Sequence, residues 1–206
     1  MKIYFIRHGE SEDNAKKIAQ GEDGGLSEEG KKQAQFVAER FKKINFDFIL
    51  SSEYQRAQET AHYIKEATGK DIHATPLLGE RRHPSAIIGK HVDDPEHHEI
   101  RDLIWENYHL ENWRHSDEEN FFDLRRRALD FFEYLQQFEE KDILAVTHGF
   151  FLRIIVATMM LGENLDPKTF IPIAHFLQTK NTGITLCEKK KERWHLLTWN
   201  DHAHLG

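Results

Sequence analysis

A short apolar run at residues 3–6 leads straight into Arg7 and His8, and no other feature limits the fold as much. The run does not alternate with polar residues, so it suits a strand buried on both faces, in the middle of a parallel sheet. The same pattern returns twice. "FDFILSS" at residues 46–52 ends in serines, and "DILAVTHG" at residues 142–149 ends in a histidine and a glycine. Between these runs the apolar spacing becomes helical. Ser27 can cap a helix with Glu28 and Glu29 in its first turn and Ala34, Val37, Ala38, Phe41 and Ile44 on one face. Ser52 and Gln55 have capping-box spacing ahead of Ala57, Ala61, Ile64 and Ala67.

Further along, "DIHATPLLGE" reads as another strand. Residues 81–117 read as an insertion with one helix near 94–110, and Phe121, Leu124, Ala128, Phe131, Leu135 and Phe138 mark a long amphipathic helix. "FFLRIIVATMMLG" is apolar nearly all round, as a buried helix is, and the tail reads as a hairpin turning at "EKKKER". Strand and helix alternate for most of the length. The expected class is α/β, with a mainly parallel central sheet, helices on both faces and a helical insertion above the carboxyl edge. At 206 residues, with five prolines and no Gly/Ser-rich tract, the chain is expected to form one domain, 1–206.

Composition narrows the function classes. A net charge of -7 argues against nucleic acid or anionic lipid as the main partner. One cysteine, Cys187, excludes an intramolecular disulfide framework and a cysteine-rich zinc site. The N-terminal apolar run is too short for a signal-peptide core and no stretch has the length of a membrane span, so the expected location is the cytoplasm. Fourteen histidines invite a metal reading, but His97, His98, His202 and His204 lack a second cluster with ligand spacing, and no metal is expected. Trp105, Tyr108 and Trp113 fit either helix packing or an apolar rim.

Three of the predicted strands end in residues with chemistry: Arg7 and His8, then Ser51 and Ser52 with Arg56 just beyond, then His148 and Gly149. Ligands of open α/β sheets sit outside the carboxyl ends of the strands, so these residues can converge. Two arginine forks, a helix N-terminus and two imidazoles describe a phosphoryl site. The histidines point past binding to transfer, with one imidazole attacking phosphorus and the other donating to its oxygens. Glu80, after a short apolar run, is the candidate acid for the leaving oxygen.

The segments "RHGES" (7–11), "LSEEGKKQA" (26–34), "SSEYQRAQETA" (51–61), "LLGE" (77–80), "VTHG" (146–149), "NTGIT" (181–185) and "NDHAHL" (200–205) occur in that order. Together they resemble the histidine phosphatase superfamily, of phosphoglycerate-mutase-like fold, over almost the whole chain. The resemblance implies that His8 becomes a phosphohistidine, that Arg7, Arg56 and His148 bind phosphoryl oxygens, and that Glu80 donates a proton. It also implies that Ser11, Asn14 and Gly149 border the pocket and that neither metal nor cofactor is needed. After Glu80 the chain departs from the family pattern with Arg81, Arg82, His83 and Pro84. Arg81 and Arg82 are candidates for holding a second anionic group. The expected activity is phosphomonoester hydrolysis on a small phosphorylated substrate or a phosphoprotein. A phosphoglycerate-type mutase and a non-catalytic phospholigand-binding module are the alternatives.

Overall fold

The structure, a computed structural model, describes residues 1–138, 141–191 and 193–206. Strand β1 (Lys2–Arg7) is followed by the short helix α1 (Glu12–Ala15), helix α2 (Glu28–Phe41), strand β2 (Phe48–Ser51), helix α3 (Gln55–Thr68) and strand β3 (Ile72–Ala74). Helices α4 (Pro95–Glu106) and α5 (Phe121–Leu135) lead to β4 (Ile143–Thr147), α6 (Gly149–Leu161), α7 (Pro167–Phe176) and the hairpin β5 (Ile184–Lys190) and β6 (Arg193–Asp201). The six strands form one sheet in the order β3-β2-β4-β1-β5-β6. β1, β2, β3 and β4 are mutually parallel, and β5 runs antiparallel to β1 and β6.

The unbroken apolar runs are buried on both faces. Ile6, Ile49, Leu144 and Val146 pack against Val37, Phe41, Ala61 and Ile64 of α2 and α3. Ile3, Phe5, Leu50, Ile143 and Ala145 face Leu124, Ala128, Phe131 and Phe151 of α5 and α6. Cys187 on β5 stands opposite Ile3 of β1, 1% exposed, and burial pushes its thiol up to about 12. The insertion is anchored on the loop after α1: the Ala19 N–H donates to the Lys90 carbonyl, the Val92 N–H to that of Lys17, and Ala19, Ile87 and Ile100 form a small core. Trp105 packs on Tyr108, and Tyr108 on Phe121, so this pair belongs to the core.

Several local expectations differ from the structure. The strand expected across residues 71–80 stops at Ala74. Thr75 then caps a 3-10 turn, Pro76–Leu78, because proline has no N–H for a sheet ladder. α3 begins after Tyr54 and not at Ser52, whose hydroxyl instead accepts the Tyr54 N–H at 3.2 Å. α4 ends at Glu106 and α5 at Leu135, with a 3-10 turn over Gln136–Phe138. Of the turn expected at "EKKKER", Glu188, Lys189 and Lys190 belong to β5 and Arg193 to β6, and Glu192 lies outside the described residues.

The loop after β1 is packed against α2 through two glycines. A Cβ on Gly30 would stand 1.9 Å from the Glu10 carbonyl oxygen, and one on Gly9 2.6 Å from that of Gly30. Ser27 caps α2 by accepting the Gly30 N–H at 3.0 Å and donates to the Glu10 carboxylate at 2.7 Å. Gly30→Ala places a methyl group against backbone that cannot move aside. The expected loss is about 2 kcal/mol, since overpacking exceeds the gain in helix propensity. Urea denaturation of the variant checks this.

Candidate active site

Strand register builds the site. In the sheet order β2, β4 and β1 are neighbours, with Ser51 paired to Val146 and Arg7 to Thr147. His8 and His148, the next residues after the Arg7–Thr147 pair, therefore leave two adjacent strands at the same level, with Ser52, just after β2, one residue before that level. The His8 N–H donates to the Thr147 carbonyl at 3.0 Å, and the two imidazole centroids lie 4.9 Å apart.

The orientation of His8 follows from its partners. Nδ1 lies 2.7 Å from the Gly9 carbonyl oxygen, which can only accept, so Nδ1 carries the proton and Nε2 the lone pair. The Nε–H of Arg56 points to that Nε2 at 3.3 Å. Arg56 is held in turn by the Gly21 carbonyl at 2.8 Å and lies over the Tyr54 ring. Arg7 donates to the Thr179 carbonyl at 2.9 Å, and its Nε is buried without a partner among the described residues. Asn181 donates to the His8 carbonyl and the Thr182 N–H to that of Arg7, so the "NTGIT" segment braces the backbone of both residues. His148 is fully buried. Its Nε2 meets the Ser52 hydroxyl at 2.8 Å, its ring lies against Tyr54, and its Nδ1 has no partner among the described residues.

Burial pushes His8 well below the ordinary imidazole range, and the Arg56 and Arg7 cations add to this. His148 is lowered likewise, by burial first and then by His8 and the surrounding arginines. Arg7 and Arg56 are themselves lowered by burial, opposed by the Glu80 charge. The site thus holds two neutral imidazoles among cations.

Glu80 sits at the N-terminus of α6. Its Oε1 accepts the N–H groups of Arg81 at 2.9 Å and Phe151 at 3.0 Å, and its Oε2 that of Phe150 at 3.0 Å. The helix end and the carboxylate are complementary. Gly149 opens the same helix against Arg7, where a Cβ would come within 3.2 Å of the Arg7 Nε.

The remaining expected residues separate. Ser11 and Asn14 form a capping box on α1, and the Ser11 hydroxyl donates to Gln20 at 2.8 Å, so that hydroxyl is committed to the loop and not to a ligand. Arg81 lies with its guanidinium 4.1 Å over the Phe150 ring beside Glu80. Arg82 turns away: its Nε–H donates to the Asp117 carbonyl at 2.6 Å, an exposed contact within the insertion. Among the described residues no group of three or more histidines, cysteines or carboxylates could hold a metal ion. Sequence reasoning missed Tyr54, Asn181, Arg127 and Arg153. Arg153 lies 5.4 Å over the Phe150 ring and donates to the Gly149 and Ala174 carbonyls. Tyr54 follows β2 between Ser52 and Arg56, and Asn181 opens the "NTGIT" segment, whereas Arg127 and Arg153 lie inside helices and only tertiary packing brings them here.

Residues 3–202 match the model of the histidine phosphatase superfamily (branch 1). The chain belongs to that superfamily. It is similar to "Probable phosphoglycerate mutase GpmB" of Enterobacter sp. (strain 638), with 33% identity over 165 residues, 78% of this chain and 75% of the relative. In fold it is similar to YhfR of Bacillus stearothermophilus (TM-score 0.83, 23% identity, 100% of this chain and 99% of that one). It is also similar to the phosphoserine phosphatase of Entamoeba histolytica, solved with 3-phosphoglyceric acid (TM-score 0.79, 26% identity, 99% and 98%).

The neutral state of the buried histidines gives stability a definite pH dependence. Their folded pKa values lie below the unfolded value of about 6.5, so the unfolded chain takes up protons first as pH falls. Stability is complete above about pH 6.5 and declines below it, by about 1.4 kcal/mol per pH unit for each such imidazole. Urea unfolding at pH 7.5, 6 and 5 should show this decline, with a slope shallower by about one proton in His148→Gln.

Proposed function

We propose that the protein hydrolyses phosphomonoesters through a phosphohistidine on His8. The observation that carries this reading is the fixed tautomer of His8, with Nδ1–H on the Gly9 carbonyl and the Nε2 lone pair beside the Arg56 guanidinium. In the first step Nε2 forms a bond to phosphorus as the ester P–O bond breaks, and Glu80 gives the leaving oxygen its proton. In the second, the Glu80 carboxylate takes a proton from water, whose oxygen bonds to phosphorus as the P–N bond breaks, releasing phosphate and neutral His8. Arg7, Arg56 and His148 stabilise the equatorial oxygens, and the unpartnered Arg7 Nε and His148 Nδ1 are donors suited to them. Gly149 leaves room for Arg7.

The substrate is a small phosphorylated molecule. The similar phosphoserine phosphatase was solved with phosphoserine and with 3-phosphoglyceric acid, compounds that carry a carboxylate besides the phosphate. Arg81, whose guanidinium lies over the Phe150 ring beside the Glu80 charge, is the candidate for holding such a second anion, whereas Arg82 is bonded to the Asp117 carbonyl. The name of the 33% identical relative favours a second reading, a phosphoglycerate mutase. Incubation with 3-phosphoglycerate separates the two, because hydrolysis yields inorganic phosphate and a mutase yields the 2-phospho isomer.

Phosphate release from p-nitrophenyl phosphate in EDTA is the direct test. His8→Ala should abolish turnover and the acid-labile phosphoenzyme, and Arg56→Ala should lower kcat by about 100-fold to 1,000-fold, the usual cost of a donor to transition-state charge. Undiminished turnover in His8→Ala would overturn the reading.

A further inference from the structure

Glu80 occupies a loop, yet its carboxylate must meet a leaving oxygen within hydrogen-bond reach. One half-buried ion pair beside the site fastens that loop. Arg127 on α5 and Glu119 just before it form a two-point pair, Nε to Oε1 and Nη2 to Oε2, both 2.9 Å, with side chains 15% and 17% exposed. The rest of the Arg127 guanidinium is spent on the Glu80 backbone: Nη1 donates to the Gly79 carbonyl at 2.7 Å and Nη2 to the Glu80 carbonyl at 3.3 Å. Its flat face lies 3.8 Å over the ring of Phe151, the residue whose N–H holds Glu80 Oε1. Glu119 grips the other side, with Oε2 accepting the Arg82 N–H at 2.9 Å and its own N–H donating to the Arg82 carbonyl at 3.1 Å. Residues 79, 80 and 82 are thus fastened by one cation and one carboxylate.

We infer that Arg127 and Glu119 are positioning residues that aim the Glu80 carboxylate at the leaving group, and that they couple the end of the insertion to proton transfer. This rests on the reading of Glu80 as proton donor. A guanidinium is needed, since only its planar fork can serve Glu119 and two carbonyls together. A shift of about 1 Å in a positioned group can cost about 100-fold in rate.

The test is the dependence of kcat/KM on leaving-group basicity, measured with a series of aryl phosphates from p-nitrophenyl to phenyl phosphate. A nitrophenolate departs without a proton and a phenolate does not. The slope of this plot does not depend on the fraction of active protein, so partial misfolding cannot imitate the effect. Glu80→Gln should steepen the slope. Glu119→Gln, and the double variant Arg127→Met with Glu119→Gln, which leaves no lone buried charge, should steepen it too. Expected losses are about 100-fold on phenyl phosphate and about tenfold or less on p-nitrophenyl phosphate, with Arg127→Lys intermediate. A steep slope in Glu80→Gln beside a wild-type slope in the Glu119 and double variants overturns the positioning role alone. A wild-type slope in Glu80→Gln removes the donor reading, and the proposal with it.

Discussion

Parallel pairing of β1 with β4 is the contact on which the site depends. It sets Arg7 against Thr147, and so delivers His8 and His148 side by side from two strands far apart in the chain. A shift of one residue in this register would turn every side chain of β1 to the opposite face, so the apolar residues that hold Ile3 and Phe5 in one core and Ile6 in the other also hold the histidines in phase. Catalytic placement and core packing are enforced by the same ladder of hydrogen bonds.

Around that pair the protein concentrates positive charge where water is scarce. Arg7 and Arg56 are mostly buried, and their principal hydrogen bonds run to the Thr179 and Gly21 carbonyls and to His8, none of them to a carboxylate. Such an arrangement costs stability, because among the described residues each cation has left water with no carboxylate in contact, and the Glu80 charge offsets this only in part. The same desolvation strengthens attraction for a phosphoryl dianion, and it keeps both imidazoles neutral, as a nucleophile must be. The site is therefore organised for an anion, and the scaffold around it carries the strain.

How far this could be read beforehand varies with the physics of each feature. The central strands and the helices packed on them were legible because continuous and helical apolar spacings reflect burial directly, as in residues 3–6 and on α2. His8, Arg7, Arg56 and His148 were legible because they stand at or near strand ends, and the structure brings them together. Ser52 misled: its spacing to Gln55 matches a capping box, but its hydroxyl is drawn to the Tyr54 N–H and to His148. Ser11 and Asn14 satisfy each other at a helix start, a local bond that competes with any ligand. Arg127 carries no local signal, since among the three consecutive arginines of α5 only the tertiary fold decides which one turns inward.

The lone cysteine gains a meaning from its place in the sheet. Cys187 is paired with Ile3, on the same strand that presents His8, and its thiol is both enclosed and held in the unreactive protonated form. A thiol reagent can reach it only when the core that encloses it opens. The rate of alkylation in native buffer is therefore a clock for the opening of the core beside the strand that presents His8, built into the chain without any added label.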